Sequence, residues 1–459
     1  MSMSKLAVGV AGGWADLPRD LLESVLARLP VPDRVRFPAV CTAWQSAHTA
    51  AGIQHAALSP WLMLPFNPTA RVDSVDDNDG SCAKLTVVRF LSLAEDRAYA
   101  IRQPAPAARE RLCVGSSPDG WLVTADACSE LSLLNPVTGA QLRLPPAATL
   151  PFVDARRGAD GRVESYGLRF SFFDGGCGEE ETLVPPETLA PDRLRFEVYE
   201  KAVVVSAPRR CGTSASSWGG YAVLLICQPL GRLAVARAGD AEWALLDADA
   251  PGRCWVDAVR ASSSSARRDH QPVYTMDAAG RVDAWDTDAA TAPRAVAPSC
   301  VCTARACAMS AACRKYLVEL SPGCLLQVHR LREAAHARYA WEPRPEHVEY
   351  TTTGAELFEW TAAAGRWARA DGRVVLGGRA LFLGKSVSLC VPADDAGVRS
   401  DCVYFTDDGP WSHNRCHEVA PDVGVLDLTD GSYRPPRGAA RDLLWKWPPP
   451  VWVFPSLAD

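Results

Sequence analysis

Several things are scarce or missing in this chain of 459 residues, and each narrows what it can be. Asparagine is rare: Asn67, Asn78, Asn135 and Asn414 are all there is, and none lies in a glycosylation sequon. A strong charge of one sign is missing too. The 48 Lys and Arg stand against 54 Asp and Glu, for a net charge of −6. Nucleic acid as the main partner normally demands a basic face, so that class is disfavoured; Arg209-Arg210 and Arg267-Arg268 read as solvated loop charges. No apolar run is long enough to span a bilayer, which disfavours a membrane partner. The run LAVGVAGG after Lys5 is too short and weak for a secretory leader, so a cytoplasmic and/or nuclear location is expected. The 16 cysteines contain no CxxC pair. Cys300, Cys302, Cys307 and Cys313 cluster at spacings unlike common zinc patterns and read as small strand residues with reduced thiols. A glycine-rich phosphate loop, a GxSxG elbow and an HExxH helix are all missing. His413 and His417 flank Cys416, but Gly409-Pro410 and polar neighbours put them on a loop. Glu179, Glu180 and Glu181 are adjacent on another loop and cannot converge. The expectation is therefore a chain with no cofactor, no metal and no catalytic residues.

What is present begins with Trp14 to His48. Leu21, Leu22, Val25, Leu26 and Leu29 recur at helical spacing and share one broad face. Asp16 is placed to cap that helix, Pro18 fits its first turn, and Pro30 and Pro32 stop it. Val35, Phe37, Val40, Cys41 and Trp44 make a second apolar set on short helices broken by Pro38. About 35 residues cannot enclose so many large apolar side chains alone, so either the rest of the chain or a partner covers them. The pattern Leu17-Pro18, Leu21-Leu22, Val25-Leu26, Leu29-Pro30, Val40-Cys41 and Trp44 resembles an F-box without a gap. Gln45 departs from it, since the family usually has a basic residue there. The resemblance implies docking to a Skp1-like adaptor, and through it to the cullin of a ubiquitin ligase. Leu17, Pro18, Leu21, Leu22, Val25, Leu26, Val40, Cys41 and Trp44 are the implied adaptor-binding residues.

From Ser59-Pro60 onward, long helical periodicity gives way to short apolar runs between Gly, Pro and Asp turns. Trp121–Val123, Leu131–Leu134 and Gln141–Leu144 read as strands around an Asn135–Gly139 turn. Hairpins recur at Val273–Trp285, Tyr316–His329 and Leu357–Trp367, Val403–Phe405 precedes an Asp-Asp-Gly turn, and Gly424–Leu428 turns at Asp430-Gly431. No helices lie between them to cross over a parallel sheet. Repeated four-stranded units predict a β-propeller of six or seven blades, with a β-sandwich as the alternative. Val72–Gly80, Gly175–Glu181 and Ala261–Ala266 read as surface loops. The region also resembles the DUF295 domain found behind plant F-boxes. That likeness rests on Gly115-Ser-Ser, Gly120-Trp-Leu-Val, Leu133–Gly139, Leu381-Phe-Leu-Gly384, Cys402–Asp408 and Pro449–Ser456.

The expected fold class is thus mainly β with a small α-helical N-terminal module. The expected organisation is a disordered 1–13, an F-box at 14–58 and a DUF295-like propeller at 60–459. The C-terminal run Leu443–Phe454 is too aromatic for a tail, and the expectation is that it latches the ring near Trp61–Leu64. The reading is a non-catalytic substrate-recognition subunit of a Skp1–cullin–F-box ligase, with an unknown protein target. A scaffold acting outside ubiquitination is the alternative, and a small-molecule pocket at the propeller centre is a third. Trp218, Trp243, Trp255, Trp285, Trp360 and Trp367 read as packing between blades, or else as anchors for a partner.

Overall fold

The computed structural model describes residues 13–50, 59–66, 87–106, 110–169, 187–210, 218–247, 253–262, 272–287, 293–300, 313–337, 348–408, 422–439 and 447–456, without 229, 362 and 364 and with 443 added. The loops expected at Val72–Gly80 and Gly175–Glu181, and His413 with His417, lie outside the described residues.

The N-terminal module has three α-helices, α1 (Arg19–Arg28), α2 (Val31–Arg36) and α3 (Thr42–Ala50). Leu17 and Pro18 are extended, so α1 starts one residue later than Pro18 in a first turn would require. Asp16 does not cap it. Its carboxylate instead accepts from the Gly13 amide at 2.9 Å and closes a single 3-10 turn. Pro30 precedes α2, and Pro32 sits inside its first turn, where proline lacks nothing the helix needs.

Residues beyond Ser59 form a ring of six blades among the described residues. Blade I is Trp61–Met63, Val87–Ser92 and Arg97–Arg102, completed by Val451–Val453. Blade II is Leu112–Ser116, Leu122–Ala125, Leu131–Leu134 and Gln141–Arg143. Blade III is Tyr199–Ser206, Ala222–Cys227, Arg232–Arg237 and Ala244–Leu245. Blade IV is Trp255–Arg260, Val273–Asp277, Val282–Trp285 and Arg294–Ala297. Blade V is Cys313–Ser321, Cys324–Ala337, Val348–Thr361 and Arg366–Ala370. Blade VI holds five strands in the order Leu389–Pro392, Arg379–Leu383, Cys402–Phe405, Gly424–Asp427 and Tyr433–Arg434. A three-stranded sheet (Val153–Arg157, Val163–Leu168, Glu187–Leu189) is inserted between blades II and III.

Each pair of neighbouring blades shares one apolar cluster. Phe90, Cys113 and Leu122 join I to II; Val123, Tyr199 and Val223 join II to III. Leu224, Trp255 and Trp285 join III to IV, and Met276, Leu317 and Leu325 join IV to V. Val328, Leu381 and Phe405 join V to VI, and Leu62, Phe382 and Trp452 close VI on I. Six blades with six such interfaces make a closed ring, which hides sheet faces that would otherwise need another covering layer. Trp218, Trp360 and Trp367 are half-buried, while Trp243, Trp255 and Trp285 are buried.

Val451–Val453 pairs antiparallel with Trp61–Met63, with Leu62 opposite Trp452. The latch expected from the C-terminal run is therefore present. Its side chains alternate between two interfaces, as a strand must: Val451 and Val453 face blade II, while Trp452 and Phe454 face blade VI. Blades II and III meet more closely than packing alone requires, through a parallel bridge pairing Ala202 with Gly115 and Val203 with Ser116. Only glycine fits at 115, because a Cβ there would overlap the Ala202 carbonyl. One cysteine departs from the reduced-thiol reading: Cys313, at the start of blade V, is disulfide-bonded, while Cys302 and Cys307 lie outside the described residues.

Candidate adaptor face and propeller axis

The helical module has a small core of its own, made of Leu22, Leu26, Phe37 and Ala47. Leu17, Val25, Leu29 and Trp44 pack around it while staying partly open. The Trp44 ring lies 4.3 Å from that of Phe37, and its indole N–H donates to the Trp14 carbonyl at 3.0 Å, tying α3 back to the start of the module. What the core leaves out is informative. Leu21 is 48% exposed and Val40 59% exposed, although each neighbours a residue that is well packed. Pro18 is also exposed and Cys41 half-exposed. The nine implied adaptor-binding residues thus divide. Leu22 and Leu26 are interior and shape the module, whereas Leu17, Pro18, Leu21, Val25, Val40, Cys41 and Trp44 present surface. Helical periodicity cannot separate the two groups, because adjacent leucines fall on one broad stripe. Trp14 is 75% exposed and was not in the sequence set.

The propeller axis is a second centre, and charge rather than apolar surface defines it. Gly384 to Ser388 of blade VI are all buried and cross the middle of the ring. The Val387 amide donates to Ser116 Oγ of blade II at 3.2 Å. The Lys385 ammonium donates to the Tyr199 carbonyl of blade III at 3.3 Å, and Ser388 Oγ to Asp257 Oδ2 of blade IV at 3.3 Å. A segment touching three blades other than its own can only lie on the axis. Gly384 turns into it at φ +151°, where a Cβ would overlap Thr406 Oγ1.

Around this plug runs a buried ionic network. Lys201 Nζ lies 2.6 Å from Asp257 Oδ1, and Arg314 pairs with both Glu200 and, at 3.0 Å, Asp408. Arg330 is wholly buried. It meets Asp422 at 2.8 Å, donates to Thr352 Oγ1 at 2.7 Å and to the Thr406 carbonyl at 2.9 Å, and stacks 4.4 Å over Phe405. Burial alone would discharge it, but Tyr316, Asp422 and Asp408 hold it charged, well above its ordinary value. Burial likewise opposes the Asp408 charge, yet Arg314, Arg330 and Arg332 hold that carboxyl far below the usual range. Lys385 goes the other way: burial, with Arg314 nearby, pulls its ammonium down to about 8. His329 is also buried, and burial with the Lys315 charge lowers it to about 3. Gln327 donates its amide N–H to the Gly280 carbonyl, so its oxygen accepts from His329 Nε2 at 3.1 Å, which sets the neutral tautomer.

Sequence reading missed this axis, because its members come from five blades and share no spacing. A signal was available nonetheless. Leu381–Gly384 and Cys402–Asp408, two of the motifs behind the DUF295 resemblance, frame the plug as parallel strands with Leu383 opposite Phe405. Among the described residues no group of three His, Cys, Asp or Glu is placed to hold a metal ion, and no helix is long and apolar enough to cross a membrane.

A three-helix module with an exposed apolar edge, joined to a closed six-bladed ring, defines an F-box protein of the β-propeller type. Matches to known proteins agree with that class: an F-box domain model matches residues 14–47, and a model described as the KIB1-4 β-propeller matches residues 90–427. The latter covers 338 of the 459 residues, and the chain belongs to that family. It is 33% identical over 126 residues to the F-box protein At3g56470 of Arabidopsis thaliana, covering 27% of this chain and 29% of that one. It is 32% identical over 133 residues to the Arabidopsis F-box/kelch-repeat protein At1g57790, covering 29% and 32%. The chain thus spans about a third of the length of these curated relatives. Among solved structures, yeast Sqt1 aligns at 11% identity with a TM-score of 0.28, over 62% of this chain and 79% of that one.

Proposed function

We propose that this chain is the substrate-recognition subunit of a Skp1–cullin–F-box ubiquitin ligase. The observation that carries the reading is the exposed apolar edge of a module that already has its own core. Leu21 and Val40 face solvent beside buried Leu22 and Phe37, so that edge serves a partner rather than the module. Leu17, Pro18, Leu21, Val25, Val40, Cys41 and Trp44 would meet a Skp1-like adaptor, with Leu22 and Leu26 setting the edge from beneath. The propeller would hold a target protein so that its lysines meet the ubiquitin-loaded enzyme, a contribution of proximity rather than chemistry. The F-box match and the F-box names of the Arabidopsis relatives support this reading.

The axis bears on where the target sits. Its cavity is about 10 Å³, the room of one water, against the several hundred Å³ typical of small-molecule sites. Target recognition is therefore assigned to blade faces and loops, and a catalytic pocket at the centre is disfavoured. The test is to purify the full chain with a plant Skp1-like adaptor. A stable complex that also retains cullin supports the ligase reading. A complex that retains the adaptor but never cullin favours a scaffold, and no adaptor binding sinks both.

A further inference from the structure

The axial cavity is walled mainly by charged side chains. It is lined by Glu200, Lys201, Asp257, Arg314, Lys385 and Asp408, with Lys315, Tyr316, Val256 and Gly384 completing the wall. Most of these charges are matched within the protein. Lys201 has Asp257 and Ser388; Arg314 has Glu200 and Asp408; Lys315 donates to the Ala278 carbonyl at 2.8 Å. Two are not fully matched. Asp408, 2% exposed, spends Oδ2 on Arg314, while Oδ1 has no well-formed hydrogen bond among the described residues, only Arg330 at 3.8 Å and the Tyr316 hydroxyl close to the carboxylate. Lys385, 5% exposed, has three N–H donors and, among the described residues, a single acceptor, the Tyr199 carbonyl. Leaving such groups unmet in a buried site is costly, and more so when they are charged.

We infer that the propeller axis is a binding site for one ordered water molecule, bridging the Lys385 ammonium to Asp408 Oδ1. The size fits, since a cavity of about 10 Å³ is near the lower bound for a single water. So does the chemistry. Water accepts from Lys385 through its oxygen and donates to Asp408 through a hydrogen, which no monatomic ion does. A cation would face Lys201, Arg314, Lys315 and Lys385. An anion would be set against the unpaired oxygen of Asp408. Water meets both demands with no added charge.

The test is a crystal structure of the full chain, with its adaptor if needed, at a resolution that resolves ordered water. One isolated density peak within hydrogen-bond reach of both Lys385 Nζ and Asp408 Oδ1 is expected. Bromide and rubidium soaks should give no anomalous peak there. An empty cavity, or an anomalous peak from either ion, overturns the inference. The isosteric Asp408→Asn variant preserves an acceptor and should retain the peak, whereas Lys385→Met removes the donor and fills the space, so the peak should vanish. If Lys385→Met does not fold, the wild-type density and the Asp408→Asn variant still decide the matter.

Discussion

The F-box module and the propeller are built from similar apolar residues but dispose of them in opposite ways. In the module, a four-residue core leaves Leu21 and Val40 outside. In the ring, six interfaces cover one another, and the last strand, Val451–Val453, is spent on closing the first blade. The difference teaches where a partner is needed. A closed ring covers its own sheet faces, with Val374 on the short helix Gly372–Leu376 the one large apolar side chain it exposes among the described residues, while three short helices leave a whole apolar edge open.

The sharpest way to break the comparison is to open the ring. Deleting residues 444–459 removes Val451, Trp452, Val453 and Phe454 from two interfaces at once and leaves Trp61–Met63 paired only with Val87–Ser92, its other edge open. Loss of cooperative melting, or a fall of many degrees in Tm, is expected in a thermal scan. A truncated chain melting within a degree or two of full length would mean that the strand only covers blade I.

Within the module, Leu26→Ala should cost about 2–5 kcal/mol of F-box stability, because it empties a fully buried position. Denaturant titration of the isolated F-box or of the full chain reads this directly. Retained stability with lost adaptor binding would contradict the interior placement of Leu26.

The ring's buried polar network predicts acid sensitivity. His329 titrates at about 3 when folded and near 6.5 when unfolded, so the unfolded chain takes up a proton first. Its contribution is present above about pH 6.5 and is lost as pH falls from there toward 3, on the order of a few kcal/mol. A His329→Gln variant should show a flatter stability profile over that window. Identical acid profiles for variant and parent would rule this out.

On the exposed edge the expected effect is on binding. Replacing Leu17 and Pro18 by Ala should weaken adaptor binding by about an order of magnitude or more, each buried large aliphatic contributing about 1.5–3 kcal/mol, with little change in Tm. An unchanged pull-down would count against the assigned edge. The smallest effect is expected from separating the regions. A chain starting near Pro60 should stay soluble, strand-rich by circular dichroism and cooperative, and aggregation would show that the ring depends on the module.

Much of the fold was legible from local chemistry. The hairpins at Val273–Trp285 and Tyr316–His329 carry turn glycines between apolar runs, and their strands lie where those runs predict. The latch was legible because proline-flanked aromatics rarely make a tail. Blade III was not, since the runs at 202–205 and Ala222–Cys227 are continuously apolar and buried on both faces, without the alternation that marks a strand, and Glu200 and Lys201 beside the first are buried too. The split between Leu21 and Leu22 was not legible either, because it depends on where Phe37 and Ala47 return in space. The axial plug required the ring itself. Until the topology is known, nothing in the sequence brings Lys385 to Tyr199 or Ser388 to Asp257.

Ring closure also sets a timetable for biosynthesis. Met63 and its partner Val451 are separated by 388 positions, a span that takes about 20–80 s to translate at ordinary rates. Throughout that interval blade I has an unpaired inner edge beside Trp61 and Leu62, on a ribosome-bound chain whose F-box is already made. The nascent propeller is thus most vulnerable to edge-to-edge aggregation before its final strand emerges, and it is during this window that a chaperone would have most to protect.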